Sequence, residues 1–160
     1  MEVSMSDPCT TCGQGDFQPG TIELKRVVAG KQFTARTEAQ LCQHCSESLV
    51  TEQALEAFEL AIATKLATGP ADGPGFKFMR RVLGLRAVDL AQLLQVSPET
   101  ISRWENGQRA VDHRGFALLG ILVHERASRR NDIMNYLQHL SHSAQEHGFD
   151  LGVIDANPLP

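Results

Sequence analysis

The sequence predicts an α+β fold: a small N-terminal ribbon carrying a β-hairpin, followed by a mainly α-helical domain. Three observations lead there. Four cysteines stand as two pairs, Cys9-Thr-Thr-Cys12 and Cys42-Gln-His-Cys45, with 29 residues between the pairs. The segment between them alternates apolar and polar residues, as half-buried strands do. From Thr51 onward apolar residues recur at helical intervals, broken at residues 68–75 by two Gly-Pro steps.

A chain of 160 residues makes one domain or two small ones. The longest apolar run, Phe116 to Val123, is interrupted by Gly120 and falls far short of a membrane span. No basic segment followed by an apolar one marks a secretion signal. A cytoplasmic protein with no membrane partner is expected. The formal net charge is −4, which argues against indiscriminate nucleic-acid binding. The distribution is uneven: residues 68–115 carry seven Lys/Arg against five Asp/Glu, net +2, whereas the segments on either side are net acidic. That is the charge profile of a focused anion-binding site on an acidic protein.

A two-residue gap lets both thiolates of a pair turn onto one ion, and two such pairs complete a tetrahedral shell. Thr21 to Lys25 and Gln32 to Arg36 read as strands, with a turn at Ala29-Gly30-Lys31 that returns Cys42 and Cys45 to Cys9 and Cys12. About fifty residues with two Phe build little core, so a metal is expected to hold this segment folded. Structural Zn2+ is the favoured ion. A rubredoxin-like iron site fits the same spacing, although such sites are packed with more aromatics than Phe17 and Phe33 supply. Disulfides or a catalytic dithiol fit less well with two symmetric pairs and no export signal. His44, inside the second pair, is expected to face solvent or cap rather than bind metal.

After Thr51, a natural N-cap, Leu55, Phe58, Ile62 and Leu66 form one helical stripe. The expected organisation is a ribbon with trailing helix (1–67), a flexible linker (68–75), a helical domain (76–128), and a C-terminal helix with a mobile tail (129–160). In the helical domain a first helix runs from Phe76 to Leu83 and stops at Gly84. A second spans about Arg86 to Gln95, with Ala91 small enough for a close helix crossing. A third starts after Ser97, with Pro98 at its first position and Glu99 in its first turn, and ends at Asn106-Gly107. Ile101 and Trp104 share its buried face, while Glu99, Thr100 and Arg103 lie away from it. A short helix with an outward polar set is what a protein lays into a DNA major groove.

The run Arg80-Arg81-x-Leu83-Gly84-Leu85, then Leu90-Ala91-x-x-Leu94-x-Val96-Ser97, then Ile101-Ser102-Arg103-Trp104-Glu105-Asn106-Gly107 resembles the phage-repressor (XRE) helix-turn-helix family. The resemblance implies a partly buried Arg80–Glu105 pair that sets the angle of the recognition helix. It implies base reading by Glu99, Thr100 and Arg103, with Arg103 bidentate to guanine. It assigns phosphate contacts to Ser102, Asn106, Gln108 and Arg109. Arg86 stands where many relatives carry a small polar cap; a weaker cap and a phosphate contact are expected there. The pairing of the two halves, with Leu41-Cys-Gln-His-Cys-Ser-Glu-Ser48 as second knuckle, is similar to the MqsA-type (YgiT-type) antitoxins over roughly residues 8–125. That resemblance implies a type II toxin–antitoxin antitoxin: a ribbon that masks a toxin protein, commonly an mRNA-cutting ribonuclease, and a homodimeric domain that represses its own operon at a palindromic double-stranded DNA operator. Glu99 departs from the Asn of many members and implies a different operator.

Asp112 caps a further helix from His113 to Ala127, and Asn131 or Asp132 starts another through Ile133, Met134, Leu137 and Leu140. The stripe of this last helix has little to cover it and is expected to serve dimerisation. His139 and His142 make a weak metal signal. Ser141 to Pro160 is expected to be a mobile tail, with a short strand at Phe149–Ile154. No nucleophile–base set, phosphate-binding Gly loop or open metal site appears, so no enzyme activity is expected. Two other readings remain open: a free-standing zinc-containing regulator without a toxin, and an iron module fused to a DNA-binding domain.

Overall fold

The computed structural model describes residues 8–14 and 16–142. Of the tail expected from Ser141 onward, residues 143–160, with the expected strand at 149–154, lie outside the described residues, as do the side chains of His139 and His142. The fold is α+β. An antiparallel hairpin of β1 (Phe17–Val28) and β2 (Lys31–Cys42) is joined by the short β3 (Ser48–Leu49) in the order β1-β2-β3. Six helices follow: α1 (Glu52–Ala67), α2 (Gly73–Val82), α3 (Ala87–Leu94), α4 (Pro98–Glu105), α5 (His113–Ala127) and α6 (Asp132–His142).

Both strands are longer than the alternation alone predicts, because Phe17 pairs with Cys42 and the ladder therefore runs up to the cysteines. Pro19 and Gly20, ahead of the strand expected from Thr21, lie within β1. A proline is tolerated there because β1 is an edge strand. The turn holds two residues rather than three: Val28 pairs with Lys31, and Ala29 and Gly30 both take positive φ, 51° and 71°. This is the turn whose twist matches antiparallel strands, and a residue with a Cβ is strained in it. Ala29→Gly is therefore expected to raise stability by about 0.5–1 kcal/mol, read as a higher urea midpoint at unchanged slope.

One face of the hairpin carries Ile22, Leu24, Val28, Phe33 and Ala35; the other carries Thr21, Glu23, Lys25, Thr34 and Arg36. The turn end of the apolar face joins the helical core, while near the cysteine end Ala39 is the buried residue of that face. Val28 is buried in the same core as Ile62, Phe76, Leu119 and Val123, and Phe33 packs on it. Arg26 pairs with Glu59 of α1, and its guanidinium lies 5.2 Å from the centre of the Phe78 ring.

The connector is shorter than the expected linker. Gly73, Pro74 and Gly75 form the first turn of α2, capped by Asp72, whose carboxylate accepts from Gly75 N at 2.7 Å. Gly-Pro steps end a preceding helix, but Pro in the first turn also starts the next one. Gly73 is required by contact: a Cβ there would run into the Trp104 carbonyl oxygen at the end of α4. Nor does α1 stand apart with the ribbon. It packs on α2 and α5, with Ile62, Ala63 and Leu66 buried, while Leu55 near its start stays 45% exposed. The stripe read as one face thus divides, its C-terminal half joining the helical core.

The remaining helices follow their caps. Thr51 accepts from Ala54 N at 3.2 Å, and the Asp112 carboxylate from Arg114 N and Gly115 N at 3.0 and 3.1 Å. Gly84, at φ 72°, closes α2 as Leu85 N bonds to Arg80 O. α6 lies against α3 and α5, and the buried Glu125 carboxylate accepts from the first amides of α6, Ile133 N and Met134 N. Met134 and Leu137 are half-buried in this way within one chain. Among the described residues no helix is long and apolar enough to cross a membrane.

Candidate nucleic-acid interface and metal centre

The expected reading helix is α4. Ser97 caps it, accepting from Thr100 N at 3.2 Å, and Pro98 occupies its first turn. Ile101 and Trp104 are buried, and the Trp104 ring meets Phe76 edge-on at 5.7 Å between centroids. Asn106 and Gly107 end the helix, with Gly107 at φ 69° and Gln108 N bonded to Arg103 O. The turn before α4 uses a signal that the sequence hides. Gln95 takes the left-handed conformation (φ 52°), and Val96 N bonds to Ala91 O.

One buried ion pair fixes α4 against α2. Arg80 donates Nε to Glu105 Oε1 at 2.5 Å and Nη2 to Oε2 at 3.1 Å, while Nη1 reaches Leu85 O at 2.6 Å. Both residues are 9% exposed. The fork binds the end of α4 and the start of the α2–α3 turn to one guanidinium, so the angle between the helices is set by a planar, bidentate contact. The pair expected from the family pattern is present.

With that face held inward, the exposed side of α4 presents Glu99, Ser102, Arg103 and Asn106, and Gln108 and Arg109 follow in the loop. Thr100 is half-buried and turned to the cap, 3.1 Å from Ser97 Oγ. Ser102 accepts from Asn106 Nδ2 at 3.3 Å. Arg103 has no carboxylate within ion-pair distance among the described residues. Glu99 lies close enough only for a weaker field: its carboxyl is held below its ordinary pKa by its own backbone amide, then by the Ser97 hydroxyl, with Arg103's charge adding to this. Arg86 stands apart from this row, at the start of α3. Asp89 accepts from Arg86 N at 3.2 Å and from the guanidinium at 2.8 and 2.7 Å. The α3 cap is thus supplied by Asp89 rather than lost, and Arg86, with its side chain 81% exposed, remains on the surface. Two residues missed by the sequence reading, His113 and Arg114, line the same groove as Thr100 and Arg109. The signal was the Arg109–Arg114 spacing around the Asp112 cap.

At the far end of the hairpin all four cysteines converge, their sulfurs within 4.8 Å of one another. Cys9 Sγ lies 3.7 Å from Cys45 Sγ, and Cys12 Sγ lies 3.7 Å from Cys42 Sγ. A tetrahedral ion with metal–sulfur bonds of about 2.3 Å needs sulfurs about 3.8 Å apart; these two pairs match that spacing, and the other separations stay within 4.8 Å, so the quartet could hold a metal ion. Backbone amides turn toward the sulfurs, as His44 N does to Cys42 Sγ at 3.5 Å. The pair titrations differ. The Cys12 amide, above all, draws the Cys9 thiol down to about 7. At Cys45 the Glu47 amide acts in the same sense, but burial and the neighbouring thiols outweigh it and push that thiol up to about 12. Four adjacent thiolates repel, and a bound cation offsets that repulsion. Around them stand polar groups: Thr11 donates to Glu47 at 2.7 Å, and the exposed His44 lies 3.6 Å from Asp16, directed away from the quartet's ligand set. Phe33 is remote, at the turn end of the hairpin, which leaves Phe17 as the aromatic beside this end.

A family model described as Helix-turn-helix domain matches residues 75–124. The match spans α2 to α5, the helices joined by the Arg80–Glu105 pair, and supports an XRE-type DNA-binding domain there. No curated protein matches the chain.

Proposed function

We propose that the protein is a sequence-specific transcriptional repressor whose α4 enters the major groove of double-stranded DNA. The observation that carries this is the exposed polar row of α4, held outward by the buried Arg80–Glu105 fork inside a matched helix-turn-helix domain. Arg103 reads guanine, Glu99 and Thr100 flank it, and Ser102, Asn106, Gln108, Arg109 and Arg86 hold phosphates. The protein acts as a homodimer on a palindromic operator. Selection from a pool of randomised duplexes tests this: the enriched sites should be palindromes whose half-sites lie about 34–36 Å apart or a multiple of it. Recovery of no common sequence contradicts the reading.

The cysteine quartet holds structural Zn2+. A closed shell of four thiolates leaves no position for an activated water, and the polar surroundings of Thr11, Asp16, His44 and Glu47 differ from the aromatic packing of a rubredoxin-like iron site. Elemental analysis of the purified protein should find zinc near one per chain; a red protein absorbing in the visible would assign iron.

The further role of the ribbon is to bind a toxin protein, which makes the chain an antitoxin and autorepressor. This rests on the resemblance of the cysteine knuckles and the order of the two halves. Co-expression with the adjacent reading frame tests it: growth arrest by that frame alone, relieved by this chain, is the expected result. A free-standing regulator is the second reading, favoured by the way α1 joins the ribbon's turn end to the helical core, a route by which the ribbon's state reaches α4. Absence of any growth effect favours it.

A further inference from the structure

A groove of about 990 Å³ opens between the end of α3, the start of α4 and the start of α5. Its apolar wall is Leu93, Val96, Val111 and Leu118. Its cations are Arg109 and Arg114, neither in an ion pair among the described residues, and its one carboxylate, Asp112, is committed to the α5 amides. Trp104 also lines it and is 4% exposed. The groove therefore calls for an occupant that is acidic and apolar.

We propose that residues 143–160 of the same chain dock in this groove. The segment carries Glu146, Asp150 and Asp155 and no Lys or Arg, with Phe149, Leu151, Val153 and Ile154 between and around the acids. Its charge complements Arg109 and Arg114, and its apolar residues match the groove wall. Reach is ample. α6, which precedes the segment, lies against α3 and α5, the helices that flank the groove, and eighteen residues extend up to about 60 Å. Thr100 and Arg109 belong both to the groove and to the proposed DNA face, so docking covers part of that face and sets the tail in competition with phosphate. This consequence rests on the DNA-binding reading; the docking itself does not.

Trp104 is the one tryptophan of the chain, so its quenching by acrylamide, a neutral probe, reports the groove in the full-length protein. The E146Q/D150N/D155N variant should raise the quenching constant roughly twofold, R109Q/R114Q should do the same, and their combination should add nothing further, the signature of one shared contact. Both variants alter exposed or undescribed residues, and unchanged far-ultraviolet circular dichroism confirms the fold. Unchanged quenching in either variant, additive effects, or a dependence on protein concentration that places the segment of a second copy in the groove overturns the proposal. None of these readouts involves DNA, so failure here is distinct from failure to select a duplex.

Discussion

Replacing Glu105 by Ala is expected to lower stability by about 3–5 kcal/mol, because it strands the Arg80 guanidinium in a buried site. Three of the five N–H groups of Arg80 are directed at Glu105 and Leu85 O, and no other carboxylate is within ion-pair distance among the described residues. Urea unfolding followed through Trp104 emission checks this, with an unchanged slope showing that the midpoint shift is stability. The apolar double variant Arg80→Met/Glu105→Leu should recover most of the loss, since removing both charges removes the uncompensated one. It should nevertheless bind DNA less selectively, because two flexible side chains do not fix a helix angle as a planar fork does. A Glu105→Ala protein of wild-type stability would mean that the pair is incidental.

Removal of the proposed metal should have the other large effect, and a local one. Binding free energies of about 10–16 kcal/mol hold isolated zinc modules together. In this hairpin the apolar face between the cysteines and the turn carries half-buried Ile22, Leu24, Ala35 and Leu41 and one small buried side chain, Ala39, which is too little to hold twelve-residue strands in register. Chelation, or Cys42→Ala, should therefore release amide protection from Phe17 to Leu24 and from Ala35 to Cys42. The turn end should keep part of its protection, because Val28 and Phe33 are anchored in the helical core. Ile101 and Leu119 should exchange at their native rates. Hydrogen exchange with mass spectrometry reads all three regions at once. Protection of the cysteine end that survives chelation would show that the strands, not the metal, organise it.

The parts of this fold legible in the sequence are those decided by local chemistry. Thr51, Ser97 and Asp112 announce their helices because a short side-chain oxygen accepts an amide two or three residues on. The cysteine quartet is legible because two-residue gaps have one common use. Arg80 and Glu105 are twenty-five positions apart, and only the family pattern joins them before the structure does. What periodicity hides is decided by distant contacts. Gly73 reads as linker until the Trp104 carbonyl is seen against it. The stripe Leu55–Leu66 reads as one face, yet Leu55 is exposed and Leu66 is core. The strand expected from Thr21 begins earlier, because register with Gln40 and Ala39 carries β1 through Pro19 and Gly20. Gln95 gives no hint of its left-handed backbone, because the cost of that conformation is met by the helix packing on both sides.

The account turns on α4 as a reader of bases, and Arg103 is where that claim is most exposed. Its guanidinium projects from the outer face with no ion-pair partner among the described residues, next to a Glu99 that stays ionised. On the duplex selected by the wild-type protein, Arg103→Ala is predicted to weaken binding by about 1–3 kcal/mol and to relax preference at one base pair in each half-site, leaving the others intact. An Arg103→Ala protein that binds the same duplex with unchanged affinity and unchanged preference at every position would contradict the assignment of α4 as the recognition element.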